Sequence, residues 1–141
     1  MLQGEEIKQL IPQREPIMMI DTFYGASETA GKSALTVLAD NVFCENGQLR
    51  EMGVIEHIAQ TSAAYNGVKN KQNNGEDSKP KLGYIGEIKK CQIVRLPRVG
   101  EQLVTEVVVT AQVMNVTLME ATTKVGDETI ATCQIKLFEE D

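Results

Sequence analysis

One stretch limits what this chain can fold into. Residues 49–68 (LREMGVIEHIAQTSAAYNGV) are the only long segment with helical character, whereas almost everything after residue 80 reads as strand. With residues placed about 100° apart, Met52, Gly53, Glu56, Gln60 and Ala63 run along one face. Val54, Ile58 and Tyr65 lie opposite, with Ile55, Ala59 and Ser62 on one flank and His57, Thr61, Ala64 and Val68 on the other. Apolar or small residues nearly all round are the mark of a covered helix. The small side chains Ala59, Ser62, Ala63 and Ala64 let a sheet approach closely. Asn46-Gly47 supplies a start signal, and Glu51 puts a negative charge in the first turn.

Strand patterns surround this helix. Ile7, Leu10 and Ile11 predict a short helix over 4–11, stopped by Pro12. Pro16 to Tyr24 is extended and turns around Glu28 to Gly31 into a strand from Lys32 to Ala39. Asn70 to Pro80 is polar, without periodicity, and reads as a loop. Lys81 to Arg95 is a strand ending near Pro97 and Gly100. Leu103 to Val113 follows, with Leu103, Val107, Val109, Ala111 and Val113 on one face. Hairpins near Met114-Asn115 and Gly126-Asp127 lead into Val116 to Val125 and Ile130 to Phe138. In the last strand Ala131, Cys133, Ile135 and Leu137 alternate with Thr132, Gln134 and Lys136. Strands without helices between them make an antiparallel sheet. The expectation is an α+β chain, one domain over 1–141 without internal repeats, in which five to six antiparallel strands curl around a long central helix: the hotdog arrangement. The exposed sheet edge would be covered by a second subunit.

Composition narrows the function. The chain has 141 residues, 42% of them hydrophobic, and no apolar run approaches the roughly 18 residues of a membrane span. Its opening, Met1 to Glu6, is acidic and lacks the features of a secretory leader, so none is expected. A net charge of −6 argues against a nucleic-acid coat. Cys44, Cys91 and Cys133 are odd in number and far apart, which disfavours a disulfide framework and suits a reducing cytoplasm. One histidine, His57, and no Cys-x-x-Cys pair leave no structural zinc set. Gly25 to Ser33 (GASETAGKS) imitates a phosphate loop, but five residues separate its glycines where the motif needs four, and it joins two strands.

The net charge hides an asymmetry. Lys69 to Arg98 carries eight basic and three acidic residues, a net of +5, leaving −11 for the remainder. Such a run either solvates a loop and strand edge or forms a patch for an acidic partner.

Three segments together resemble the hotdog-fold beta-hydroxyacyl-(acyl carrier protein) dehydratases. Leu10 to Asp21 (LIPQREPIMMID) is similar to the family's "LPHRxPxLLVD" opening. Gly53 to Gln60 (GVIEHIAQ) is similar to "GxxxxEAxAQ" on the central helix, and Arg95 to Glu101 (RLPRVGE) to the "RPVxPGD" turn. The "GxIExxAQTxAAY" form over Gly53 to Tyr65 looks most like divergent dehydratases of aryl-polyene and flexirubin-type pigment synthesis. The resemblance implies elimination of water from a 3-hydroxyacyl thioester carried on the phosphopantetheine of acyl carrier protein or CoA, with no other cofactor. A base takes the C2 proton and an acid protonates the leaving hydroxyl. The family's acidic residue falls on Glu56, with Gln60 one turn on, and its helix-start amide, which holds the thioester oxygen, falls near Gly53. Lys89, Lys90, Arg95 and Arg98 would then dock the carrier. The assembly would be a homodimer, or a heterodimer with a related dehydratase.

The chain departs from the family at its histidines. Val42 to Gln48 replaces the "GHFPG" segment and holds none, and Gln13 replaces the histidine of the opening motif. Neutral imidazole accepts a proton near neutral pH and a primary amide does not. Glu56 is either an acid or base in a desolvated tunnel or a covered carboxyl satisfied by a backbone amide or Gln60. Gln60 either takes part or orients Glu56. His57 points about 100° away from Glu56 and serves through a partner subunit or packs in the core. Cys44 is a candidate nucleophile without a histidine beside it. Met18, Met19, Met114 and Met119 on strands read as core. Three functions follow: a divergent dehydratase using Glu56, a catalytically silent acyl-binding partner of an active dehydratase, or an acyl thioesterase.

Overall fold

The helix Glu51–Asn74 (α1) lies against one face of a seven-stranded antiparallel sheet. The structure is a computed structural model and describes residues 1–75 and 83–139. The strands are β1 (Leu2–Gln3), β2 (Thr22–Ala26), β3 (Ala30–Thr36), β6 (Gly83–Ile93), β7 (Gln102–Val113), β8 (Val116–Val125) and β9 (Glu128–Glu139), in the order β1-β2-β3-β7-β8-β9-β6. A separate small hairpin pairs β4 (Cys44–Glu45) with β5 (Gln48–Leu49). The hotdog expectation stands, and the two-residue β1 is the strand added to the six expected.

Three local expectations change. The first helix is a six-residue 3-10 turn, Gly4–Gln9. Asn46 and Gly47 are not a helix start but the turn of the β4–β5 hairpin, both at positive φ (54° and 79°), as an Asn-Gly two-residue loop prefers. The central helix begins later, at Glu51, and runs past 68 to Asn74, through residues 70–74 that read as loop. No breaker intervenes before Gly75, and Asn66 and Asn70 are buried on the face that follows Ser62. The rest of the expected loop, residues 76–80, lies outside the described residues.

Core packing follows the strand alternation. Ala131, Cys133, Ile135 and Leu137 of β9 face inward with Leu103 and Val107 of β7 and Met119 of β8, against Val54 and Ile58 of α1. The register of β7 against β8 shifts between Val109 and Ala111, and Ala111 and Val113 beyond that bulge are exposed rather than core. A second cluster (Ile7, Leu10, Ile11, Ile20, Phe23, Ala64) fixes the N-terminal turn on the opposite side of the helix. There Gly67 allows a very close approach: a Cβ would lie 2.2 Å from the Leu10 carbonyl oxygen. Rigid backbone cannot yield as a side chain would, so Gly67→Ala should lower stability by about 3 kcal/mol, the upper range for overpacking. Denaturant unfolding that leaves the midpoint unchanged would refute this account of the contact.

Candidate functional site around Glu56

Short-range constraints place the start of α1. The Asn46-Gly47 turn sends β5 back along β4, Leu49 N–H donates to the Pro97 carbonyl, and Arg50 N–H donates to that of Phe43. Arg50 is extended (φ −75°, ψ 167°), and helix begins at the next residue. Gly53 is needed for packing, since a Cβ there would meet Leu49 and Phe43 side-chain atoms at 2.7–2.8 Å. Its N–H donates to the Arg50 carbonyl at 2.9 Å. That amide is engaged by Arg50 at the helix start, where a thioester oxygen would compete with this bond.

Two residues of α1 grip an irregular segment that was expected to be strand. Residues 16–21 form no ladder; β2 begins only at Thr22. Gln60 is fully buried and supplies the missing partners: its Oε1 accepts from Met19 N–H at 2.6 Å, and its Nε2 donates to the Ile17 carbonyl at 2.8 Å. The same Nε2 donates to Glu56 Oε1 at 3.1 Å. His57 Nδ1 donates to the Met19 carbonyl at 2.8 Å. Nothing in the residue types of 17–19 announces this arrangement. The signal available was Pro12 and Pro16, which interrupt a ladder and leave backbone groups in need of side-chain partners.

Glu56 and His57 thus have opposite fates. Glu56 is half-buried, its Oε1 fixed by Gln60, and it sits on the most open stripe of the helix with Met52 (65% exposed), Ile55, Ala59 and Ala63. His57 is 0% exposed, with Nδ1 spent on Met19 and Nε2 buried without a hydrogen-bond partner. Burial pushes it from its usual 6.5 down to about 4, against the opposing pull of the Met19 hydrogen bond and Asp21. It is a neutral core imidazole inside its own chain, which excludes service through a partner's site. Gln13, in place of the family's opening histidine, has its side-chain Oε1 buried and without a partner.

The remaining candidates separate. Cys44 donates to the Leu38 carbonyl, and burial followed by the Asp40 charge pushes its thiol upward, disfavouring a thiolate nucleophile. Lys89 and Lys90 are exposed on β6, with Lys89 Nζ 3.3 Å from Glu87. Arg98 is exposed as well. Arg95, the remaining residue of the expected docking set, is engaged within the chain. Its guanidinium is bidentate on Glu101 (2.9 and 3.1 Å) and bonds Glu128 at 3.1 Å, tying the ends of β6, β7 and β9 together. Two carboxylates neutralise its charge. Lys69 stacks over the Tyr65 ring, and Lys79 and Lys81 lie outside the described residues. Met18 is half-buried, Met19 and Met119 are core, and Met114 is 93% exposed at the β7–β8 turn.

Grooves of about 340 to 470 Å³ lie on the sheet, one lined by Glu87, Thr110, Leu118 and Lys136 and another by Lys90, Gln92, Thr122 and Thr132. Neither reaches Glu56. In the single chain the Glu56 carboxyl lies beside an open apolar stripe.

The chain matches the family described as ApeP-like, ApeP dehydratase, over residues 5–141. A 3-hydroxyacyl-(acyl-carrier-protein) dehydratase FabZ from Thermoanaerobacter pseudethanolicus is 28% identical over 142 residues, covering 95% of this chain and 94% of the relative. FabZ from Bacillus cytotoxicus is 31% identical over 118 residues, covering 78% of this chain and 76% of the relative. Among solved structures, the dehydratase heterocomplex ApeI:P from Xenorhabdus doucetiae has a TM-score of 0.87 at 16% identity, covering 100% of this chain and 93% of that one. This last likeness is one of fold.

Two stability measurements check the geometry. Because the folded His57 binds a proton only near pH 4 and the unfolded one near 6.5, its contribution is intact above pH 6.5. It is lost as pH falls toward 4, by on the order of 3 kcal/mol. His57→Gln should flatten the stability profile between those values, and an unchanged slope would show that His57 is not the buried titrating group. Gln60→Leu removes the partners of Met19 N–H and Ile17 C=O and should cost roughly 2–4 kcal/mol in urea unfolding.

Proposed function

This chain belongs to the ApeP-like dehydratase family, and on that premise we propose that it supplies Glu56 to a site that eliminates water from a carrier-bound 3-hydroxyacyl thioester. A second protomer completes this site. The observation that carries the reading is the contrast between the two titratable side chains of one helical turn: His57 is sealed in the core, while Glu56 stays at the open stripe. The chain has no other histidine.

The chemistry follows from that contrast. A base removes the C2 proton, the electron pair forms the C2–C3 double bond, the C3–O bond breaks, and the hydroxyl leaves as water after taking a proton. Glu56, held through Oε1 by Gln60, keeps Oε2 for the substrate hydroxyl and acts as the proton donor. Gln60 is a positioning residue because its amide is engaged on both sides. The base comes from the partner, a histidine-bearing dehydratase related to this chain. The elimination is redox-neutral and asks for no cofactor beyond the phosphopantetheine arm of an acyl carrier protein or CoA.

The exposed elements favour such pairing. Among the described residues, strand β6 is an eleven-residue edge paired with β9 alone, and such an edge invites a second strand. The stripe Met52, Ile55, Ala59 and Ala63 would be covered at the same time, enclosing the Glu56 carboxyl. A homodimer formed this way would hold two acids and no imidazole base, which favours the heterodimer. Lys89, Lys90 and Arg98 are accessible cations of the basic segment, suited to an acidic carrier. The unpaired cysteines suit a cytoplasmic setting.

Reconstitution tests the reading. The chain alone should dehydrate 3-hydroxyacyl carrier substrate poorly, and addition of a histidine-bearing dehydratase from the same source should restore loss of water, followed by mass spectrometry. In the mixture Glu56→Gln should lower kcat by roughly 10²–10⁴-fold. Full activity with Glu56→Gln would reduce the chain to a silent acyl-binding partner. Lys89→Glu with Lys90→Glu should raise KM severalfold for the carrier-bound substrate and leave KM for a free pantetheine thioester unchanged; equal effects on both would remove the docking assignment.

A further inference from the structure

Away from Glu56, two of the three cysteines meet at an irregularity of the edge strand. The β6–β9 register pairs Lys89 with Gln134 and Gln92 with Thr132, so Lys90 and Cys91 together oppose the single residue Cys133. Lys90 takes a positive φ of 51° at this bulge. Cys133 faces the core and is 5% exposed, whereas Cys91 is exposed. The register sets the two side chains opposite each other, and Cys91 is near enough to raise the Cys133 thiol. Cys44 is held elsewhere, on the Leu38 carbonyl.

We propose that Cys91 and Cys133 form a dithiol site that closes to a reversible cross-strand disulfide on reaction with a small-molecule disulfide such as glutathione disulfide. Opposed residues on antiparallel neighbours have Cβ atoms about 4.5–5.5 Å apart, and a disulfide asks for about 3.5–4.5 Å. A bulge, where the ladder is already interrupted, is the place in a sheet where that small difference is most easily absorbed. The inference does not draw on Glu56, and it concerns the chain before a second protomer pairs with the β6 edge.

The two thiols have unequal parts. Cys91, being accessible, loses its proton to solvent and attacks one sulfur of glutathione disulfide. An S–S bond to one glutathione forms, and the other leaves as thiolate. Cys133 then loses its proton and attacks the Cys91 sulfur, expelling the second glutathione. Two protein thiols are oxidised, one glutathione disulfide is reduced to two thiols, and each departing thiolate recovers a proton. Burial first, and Cys91 second, push the Cys133 thiol up to about 12, which suits it to the resolving step rather than the opening attack. The closed bridge ties the edge strand to β9 at the turn of chain that presents Lys89 and Lys90.

The test treats the intact protein with glutathione disulfide, then counts thiols in denaturant and maps peptides without reduction. The expected result is loss of two of the three thiols, a Cys91–Cys133 linked peptide, a higher unfolding midpoint, and reversal by dithiothreitol. Cys91→Ser, at an exposed position, should lose no thiol, and Cys133→Ala should stop at glutathione on Cys91. Cys44→Ala should behave as the parent. A stable glutathione adduct on Cys91 in the parent, a link between chains, or no reaction would each overturn the proposal.

Discussion

Between Ile11 and Thr22 the chain crosses α1 without forming a strand, and its polar backbone there is satisfied by two helix side chains. Gln60 takes Met19 N–H and Ile17 C=O together, as a neighbouring strand would, and His57 takes the Met19 carbonyl. Buried backbone groups left unpaired would each cost about 1–3 kcal/mol, so this grip is what allows an irregular segment to lie against a buried helix. The two core clusters, one under the sheet and one under the N-terminal turn, close on either side of it.

The same grip sets the surroundings of Glu56. Gln60 has one amide nitrogen with two hydrogens, and these go to Ile17 and to Glu56. The carboxyl is thereby oriented by a group that is itself immobile, without being sealed in. His57, one residue along, is turned by the helical rotation into the core and spent on the backbone. One step along the helix therefore separates a buried imidazole from a half-buried carboxyl on the open stripe.

The long strands end in an edge, and the edge shapes what the chain can do. Among the described residues β6 has one neighbour, carries accessible lysines, and sets Cys91 opposite Cys133 of β9 at its bulge. Arg95 anchors its end through two carboxylates, so a basic residue that reads as surface charge in sequence is a cross-link between three strands. Charge counts along a chain give no account of such pairing, because Glu101 precedes β7 and Glu128 opens β9.

Periodicity made the architecture legible. The lone covered helix, the four long C-terminal strands and the antiparallel order follow from which positions are apolar and at what spacing, since each element must bury one face. The family followed from the motifs at Gly53 to Gln60 and at both flanks, and Glu56 from its place in them. Other features depended on atoms brought together from distant positions. Gln60 became a clamp on Ile17 and Met19, and Cys91 came to lie opposite Cys133. Sequence by itself determined the elements and the residue types at the site. Only the tertiary structure decided which polar groups were already satisfied, because a hydrogen bond between residues some forty positions apart leaves no periodic trace along the chain.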